Sequence, residues 1–133
     1  MKNSNEFRNR SGKLKAFMGT IPKRAGVEYV KFIEKNFDKE GFEGKSKWAR
    51  RKNEGPASRS SRRALLVKSS RLKNSFDYYT TGNRVAVFTP VPYAQRHNEG
   101  LKGMPKRQFM GDSKEFDREF ERLIEDKLDK ILG

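Results

Sequence analysis

The chain has no cysteine and only one histidine among its 133 residues. The absence of cysteine excludes disulfide scaffolds, cysteine-based zinc sites and thiol nucleophiles. No apolar run approaches the ~18–20 residues that cross a bilayer. The charged start "MKNSNEFRNRSGKLK" is followed by no apolar segment of the kind a signal peptide requires. We therefore expect a protein that is made and used in the cytoplasm, with no membrane partner.

The chain is also poor in patterns that carry catalysis. No Gly-x-Ser-x-Gly or phosphate-binding loop occurs, and no second histidine stands near His97 to complete a metal or nuclease site. Two interpretations of His97 remain, a catalytic group or part of a structural corner with Tyr93 and Gly100. Tyr93 would share its helical face, and Gly100 would allow a positive φ. We favour the corner, and expect no enzyme, no metal, no cofactor and no small-molecule substrate.

Apolar residues are scarce and basic residues abundant. The apolar fraction is 33% and the charged fraction 36%, with 31 Lys and Arg against 17 acids and a net charge of +14. A chain of this size can bury one modest core. The positive field attracts polyanions in a salt-sensitive way. DNA, RNA and an acidic protein surface all remain open as partners.

The apolar pattern predicts an α+β fold. We expect a flexible basic arm over residues 1–20, a boundary at Ile21-Pro22, and a single domain over residues 21–133. A helix over about 23–39 has its apolar residues at helical spacing. Its apolar face either packs in the core or forms a partner-binding groove.

A hairpin and a long helix make up the second half of the prediction. Residues 76–89 alternate as strands around Gly82-Asn83, which predicts a small antiparallel sheet. Residues 113–132 form an amphipathic helix, for which Asp112 and Glu115 suggest a capping box. Between the first helix and the hairpin, residues 41–63 predict a basic loop that is either a polyanion contact or a solvated connection.

Four ordered motifs carry a resemblance to a known family. The first runs from Phe37 to Trp48, and the second, "LLVKSSRLKNS", contains Leu72 and has Ser70 where Gly is usual. The third is Tyr-Ala-x-x-His-x-x-Gly and the fourth Pro-x-Arg-x-Phe-x-Gly. The motif residues are Trp48, Leu72, Tyr93, Ala94, His97, Gly100, Pro105, Arg107, Phe109 and Gly111. Over residues 21–132 the chain resembles the phage virion-morphogenesis, or tail-completion, family.

The resemblance implies a structural role in a phage or prophage virion. It implies tail completion or head–tail joining, a tail-terminator-like α+β fold, and subunits that close into a homo-oligomeric ring with neck and tail proteins as partners. Assembly would occur in the bacterial host cytoplasm. In such a ring a basic loop could contact passing DNA non-specifically, for which the candidates are Arg50, Arg51, Lys52, Arg62 and Arg63. The alternative is a stand-alone basic nucleic-acid-binding protein.

Overall fold

A long first helix organises the fold. The structure, a computed structural model, describes residues 4–49 and 70–133. Helix α1 spans Ser4–Lys39 and contains Pro22 in its interior. The sequence predicted a helix from about residue 23 and an arm before it, so the boundary at Ile21-Pro22 is wrong. The apolar positions explain the continuation, because Phe17 and Ile21 stay in phase with Ala25 across the proline. Phe17 is buried, and the Arg24 guanidinium lies 5.3 Å from its ring centroid.

A short ribbon follows α1 inside the segment predicted as a basic loop. Strands β1 (Gly41–Phe42) and β2 (Ser46–Lys47) pair antiparallel, with Gly41 opposite Lys47. Glu43 and Gly44 at the turn both have positive φ. The loop prediction is therefore wrong for residues 41–47, and the part from residue 50 to 63 lies outside the described residues.

The predicted hairpin is confirmed. Strands β3 (Asp77–Thr81) and β4 (Arg84–Phe88) pair antiparallel with Thr81 opposite Arg84. Side chains alternate, because Tyr78 is half-buried against α1 while Asp77 and Tyr79 are exposed. A Cβ on Gly26 would lie only 2.5 Å from the Tyr78 ring, so a glycine is required where the hairpin approaches α1.

Three further helices complete the α+β architecture. They are α2 (Ser70–Lys73), α3 (Ala94–Glu99) and α4 (Lys114–Leu132). Gly100 ends α3 with a φ of 71°, as predicted. Ser113, rather than Asp112, caps α4, and its hydroxyl accepts a hydrogen bond from the Phe116 amide at 3.0 Å. Both residues are good N-caps, and the one in register with the first turn takes the position.

The core lies where α1, β2, α2 and the segments around α3 converge. Its buried members are Ile33, Phe37, Trp48, Leu72, Phe76, Val91, Ala94 and Phe109. Phe37 is central, with ring centroids 5.0 Å from Phe109 and 5.4 Å from Trp48. Helix α4 packs on a second aromatic group, because Phe116 lies 5.0 Å from Tyr29 and 5.4 Å from Phe32. The small apolar fraction is thus concentrated in aromatic contacts on both sides of α1.

Candidate functional site

Residues 100–113, here called the α3–α4 segment, contain the fourth motif and lie across the core in an extended path. Side chains from other elements satisfy its backbone. Trp48 Nε1 donates to the Gln108 carbonyl at 2.9 Å, and Asn36 Nδ2 donates to the Phe109 carbonyl at 2.9 Å. Asn98 Oδ1 accepts from the Phe109 amide at 3.0 Å and the Met110 amide at 3.1 Å. A buried irregular segment needs such partners, since unpaired backbone groups are costly.

Tyr29 holds the end of this segment next to α4. Its hydroxyl donates to the Gly111 carbonyl at 2.7 Å and accepts from the Gly111 amide at 2.9 Å. Burial raises the pKa of Tyr29, and the charges of Asp112 and Asp117 add to this against the opposing hydrogen bond with Gly111. The phenol is therefore protonated at neutral pH, which the donated bond requires.

Arg107 is a buried structural arginine. Its Nε and Nη2 atoms donate to the Ala49 carbonyl at 3.1 and 2.8 Å, and its amide donates to the His97 carbonyl at 2.7 Å. The side chain thus connects the segment after β2 to the α3–α4 segment. The guanidinium is therefore used for contacts within the chain and is not exposed to solvent.

His97 lies at the corner that the sequence predicted. Its ring makes an edge contact with Tyr93 at a centroid distance of 5.8 Å. Burial, with a smaller effect from the Arg107 charge, lowers the pKa of His97. A hydrogen bond from the ring to a backbone carbonyl would strengthen such a corner, but Nδ1 has no hydrogen-bond partner among the described residues. The corner is made instead by the His97 carbonyl, which accepts the Arg107 amide.

The polar side chains at this site form hydrogen bonds with backbone groups of the same chain. Within residues 4–49 and 70–133, no group of three or more histidine or acidic side chains could hold a metal ion. In the same described part of the chain, none of the helices is long and apolar enough to cross a membrane. The arrangement can fix one conformation of the α3–α4 segment, and through it the position of α4.

The structure brings most of the motif residues together. Trp48, Arg107 and Phe109 are buried around the α3–α4 segment, and Leu72 and Ala94 lie in the same core. The candidate DNA contacts Arg50, Arg51, Lys52, Arg62 and Arg63 all lie outside the described residues.

Sequence reasoning missed Tyr29, Asn36 and Asn98. Asn36 is 2% exposed and lies three residues after Ile33, so an amide on the apolar face of α1 was the available signal.

The outer face of the hairpin carries an exposed aromatic pair. Tyr79 and Phe88 are exposed by 58% and 43%, and their ring centroids are 5.8 Å apart. Strands β3 and β4 form a two-stranded sheet, so each has one edge without a strand neighbour among the described residues. This surface is not needed for the core.

Comparison with known proteins identifies the family. The model of the phage virion morphogenesis family matches residues 7–129. Comparisons with curated proteins and with solved structures found no significant match. Because the match spans nearly the whole sequence, the chain belongs to the phage virion morphogenesis family.

Proposed function

We propose that this protein is a non-enzymatic structural component that acts in tail completion or head–tail joining. The observation that supports this proposal is that the motif residues form hydrogen bonds within their own chain. Trp48, Arg107 and the His97 carbonyl all bind backbone of their own chain, as a scaffold requires. Family membership supports a role in building the virion.

We infer that the subunit assembles with itself and with neighbouring neck and tail proteins in the host cytoplasm. Open strand edges and an exposed aromatic pair are features that a subunit can use for pairing. Identical subunits joined head to tail close into a ring when the rotation permits. The finished ring would belong to the virion.

DNA contact is a separate part of the proposal. DNA crosses a head–tail junction, and the net charge of +14 favours phosphate contacts that do not depend on sequence. The same charge supports the alternative, a stand-alone nucleic-acid-binding protein. Replacing Arg50, Arg51, Lys52, Arg62 and Arg63 with Ser should flatten the salt dependence of DNA binding by up to ~4.5 units in log–log slope.

A matched variant controls for net charge alone. It replaces five exposed basic residues elsewhere, namely Lys35, Lys106, Arg118, Arg122 and Lys130, with Ser. If both variants change the slope equally, the five candidate residues have no special contact with DNA.

Self-assembly is tested by the molar mass of the purified protein, measured by size-exclusion light scattering at ~0.15 M and ~0.5 M salt. Surface charges are screened far more strongly at the higher salt. A discrete multimer of the 15.5 kDa chain that persists at both salts supports the structural role. A monomer that carries nucleic acid at low salt and loses it at high salt favours the alternative.

A further inference from the structure

Most side chains in the first 17 residues of α1 described by the structure are exposed, with Leu14 half-buried and Phe17 buried. We call residues 4–20 the arm. A helix of 36 residues is about 54 Å long, well beyond the width of a small domain. Within the arm Phe7 is 73% exposed and Met18 57% exposed. The ion pair of Arg10 with Glu6 is internal to the helix.

Three apolar residues of the arm, Phe7, Leu14 and Met18, form a face that we call the arm stripe, beside the buried Phe17. Their spacing of 7 and 4 residues places them on one side of the helix. The same side continues through Ala25 to Phe32, where it packs against Phe116 of α4. The face that α4 covers in the second half of α1 is therefore largely uncovered in the first half. Helical stability in proteins comes mostly from packing such a face.

The arm stripe lies among basic residues. Arg8, Arg10, Lys13 and Lys15 stand against a single acid, Glu6, over residues 4–20, which gives a net charge of +3. A partner surface should therefore offer an apolar floor with negative charge beside it.

A cleft of that chemistry lies between α4 and β4. It has a volume of about 550 Å³, and we call it the acidic cleft. Ala25, Val85, Val87 and Phe116 supply apolar lining, and Asp112 and Asp117 supply negative charge. No basic residue is found among the described residues that line it. The charge of the cleft lining is thus negative, opposite to the net charge of +14 of the whole chain.

An arm cannot reach the acidic cleft of its own chain. The cleft lies beside Ala25, and Phe7 is 18 residues further along the same helix, about 27 Å away at 1.5 Å per residue. An intact helix does not fold back on itself. A cleft that receives the arm must therefore belong to another molecule, and a second copy of this chain supplies one of matching chemistry.

We propose that the arm stripe of one subunit docks in the acidic cleft of a second copy, joining subunits head to tail. Such an interface is heterologous, and it closes into a ring when the rotation between neighbouring subunits permits. The proposal rests on the self-assembly part of the proposed function and names the surfaces that carry it.

Cross-linking tests the geometry, and the absence of native cysteine makes the chemistry clean. The double variant Leu14→Cys and Val85→Cys is treated with a short bis-maleimide. Head-to-tail docking predicts a ladder of dimers, trimers and higher species, because each chain offers one arm and one cleft. The control, Leu14→Cys with Leu101→Cys, places the second thiol on the exposed α3–α4 segment and should remain uncross-linked. Equal ladders in both variants would overturn the proposal, as would dimers from Leu14→Cys alone, which indicate arm-to-arm pairing.

Mixing two defective proteins tests the polarity. The arm variant Phe7→Ser with Met18→Ser changes exposed residues, and the cleft variant Asp112→Lys with Asp117→Lys reverses exposed charges. Each should associate at least tenfold more weakly than the wild type, while Leu101→Ser behaves as wild type. An equimolar mixture should form a 1:1 complex of twice the 15.5 kDa chain mass, since one intact arm meets one intact cleft.

The outcomes separate this docking from the proposed function. A multimer that persists in the arm variant overturns the docking and leaves self-assembly standing. A wild-type protein that is monomeric at both salts overturns the docking and self-assembly together. Loss of bound nucleic acid without any change of mass in the arm variant would instead assign the arm to DNA. The role in the virion is tested separately on particles.

Discussion

Asn36 is the residue whose replacement tests the α3–α4 segment most sharply. Its Nδ2 donates to the Phe109 carbonyl at 2.9 Å, and its Oδ1 accepts from the Glu43 amide at 3.0 Å. Asn36→Ala leaves both backbone groups without these partners. An unsatisfied buried group costs about 1–3 kcal/mol, and the bond to the Glu43 amide is only part-buried, so we expect a loss of about 2–5 kcal/mol in the free energy of unfolding. A small domain has only about 5–15 kcal/mol in total.

Urea unfolding followed by far-UV circular dichroism measures this loss. Asn36→Asp is the informative partner variant, because a carboxylate can still accept from the Glu43 amide but cannot donate to the Phe109 carbonyl. It also places a charge at a residue that is 2% exposed, so it should be no more stable than Asn36→Ala. Asn74→Ala, at an exposed position, is the control and should change stability by less than ~0.5 kcal/mol. A loss below ~1 kcal/mol for Asn36→Ala would refute the reasoning.

Three further predictions concern the same region. Phe109→Ala, at a site 1% exposed, should cost about 3–5 kcal/mol in urea unfolding; a cost near that of a surface substitution would contradict the packing. Gly100→Ala should cost about 1–2 kcal/mol for its φ of 71°, plus the clash of a Cβ 3.0 Å from facing backbone. Gly82→Ala measures the cost of positive φ alone, since Gly82 has a φ of 58° and an added Cβ would have no atom within 4 Å. Equal losses of stability in the two variants would exclude a contribution from the clash at Gly100. Because burial lowers the pKa of His97, the unfolded chain binds a proton that the folded chain resists as pH falls below about 6.5. Stability should therefore decline on acidification from pH 7 toward 5.5, and His97→Gln should decline less; identical slopes would show that His97 does not cause the effect.

The elements with strong periodicity were predictable from sequence. Helix α4 follows from apolar residues at helical spacing, and the hairpin from alternation of Phe76 and Tyr78 with Asp77 and Tyr79 around Gly82. Gly100 was predictable because a left-handed helix end favours glycine. Each of these signals lies within a few neighbouring residues.

The continuation of α1 was missed because a local rule was given too much weight. Pro22 removes one backbone donor and disfavours a helical conformation at Ile21. The apolar residues on both sides stay in phase, and the burial of Phe17 shows that packing outweighs the local penalty. The phase of the arm stripe with Ala25 was the signal in the sequence.

The hydrogen bonds of the α3–α4 segment could not be predicted from local pattern. The Asn36–Phe109 bond joins residues 73 apart, and the Trp48–Gln108 bond joins residues 60 apart. An asparagine on an apolar face indicates that some backbone group is paired there, but not which one. The motifs around Arg107 and His97 indicated the correct region of the chain. The fold was needed to show that the Arg107 amide donates a hydrogen bond to the His97 carbonyl.

Particles test the central claim most directly. The gene is disrupted in the phage or prophage that encodes the chain, and the lysate is examined by negative-stain electron microscopy with and without the wild-type protein supplied in trans. A role in tail completion or head–tail joining predicts filled heads separated from tails, or tails of irregular length, and normal particles when the protein is restored. Normal, infectious particles in normal number without the protein would contradict the account.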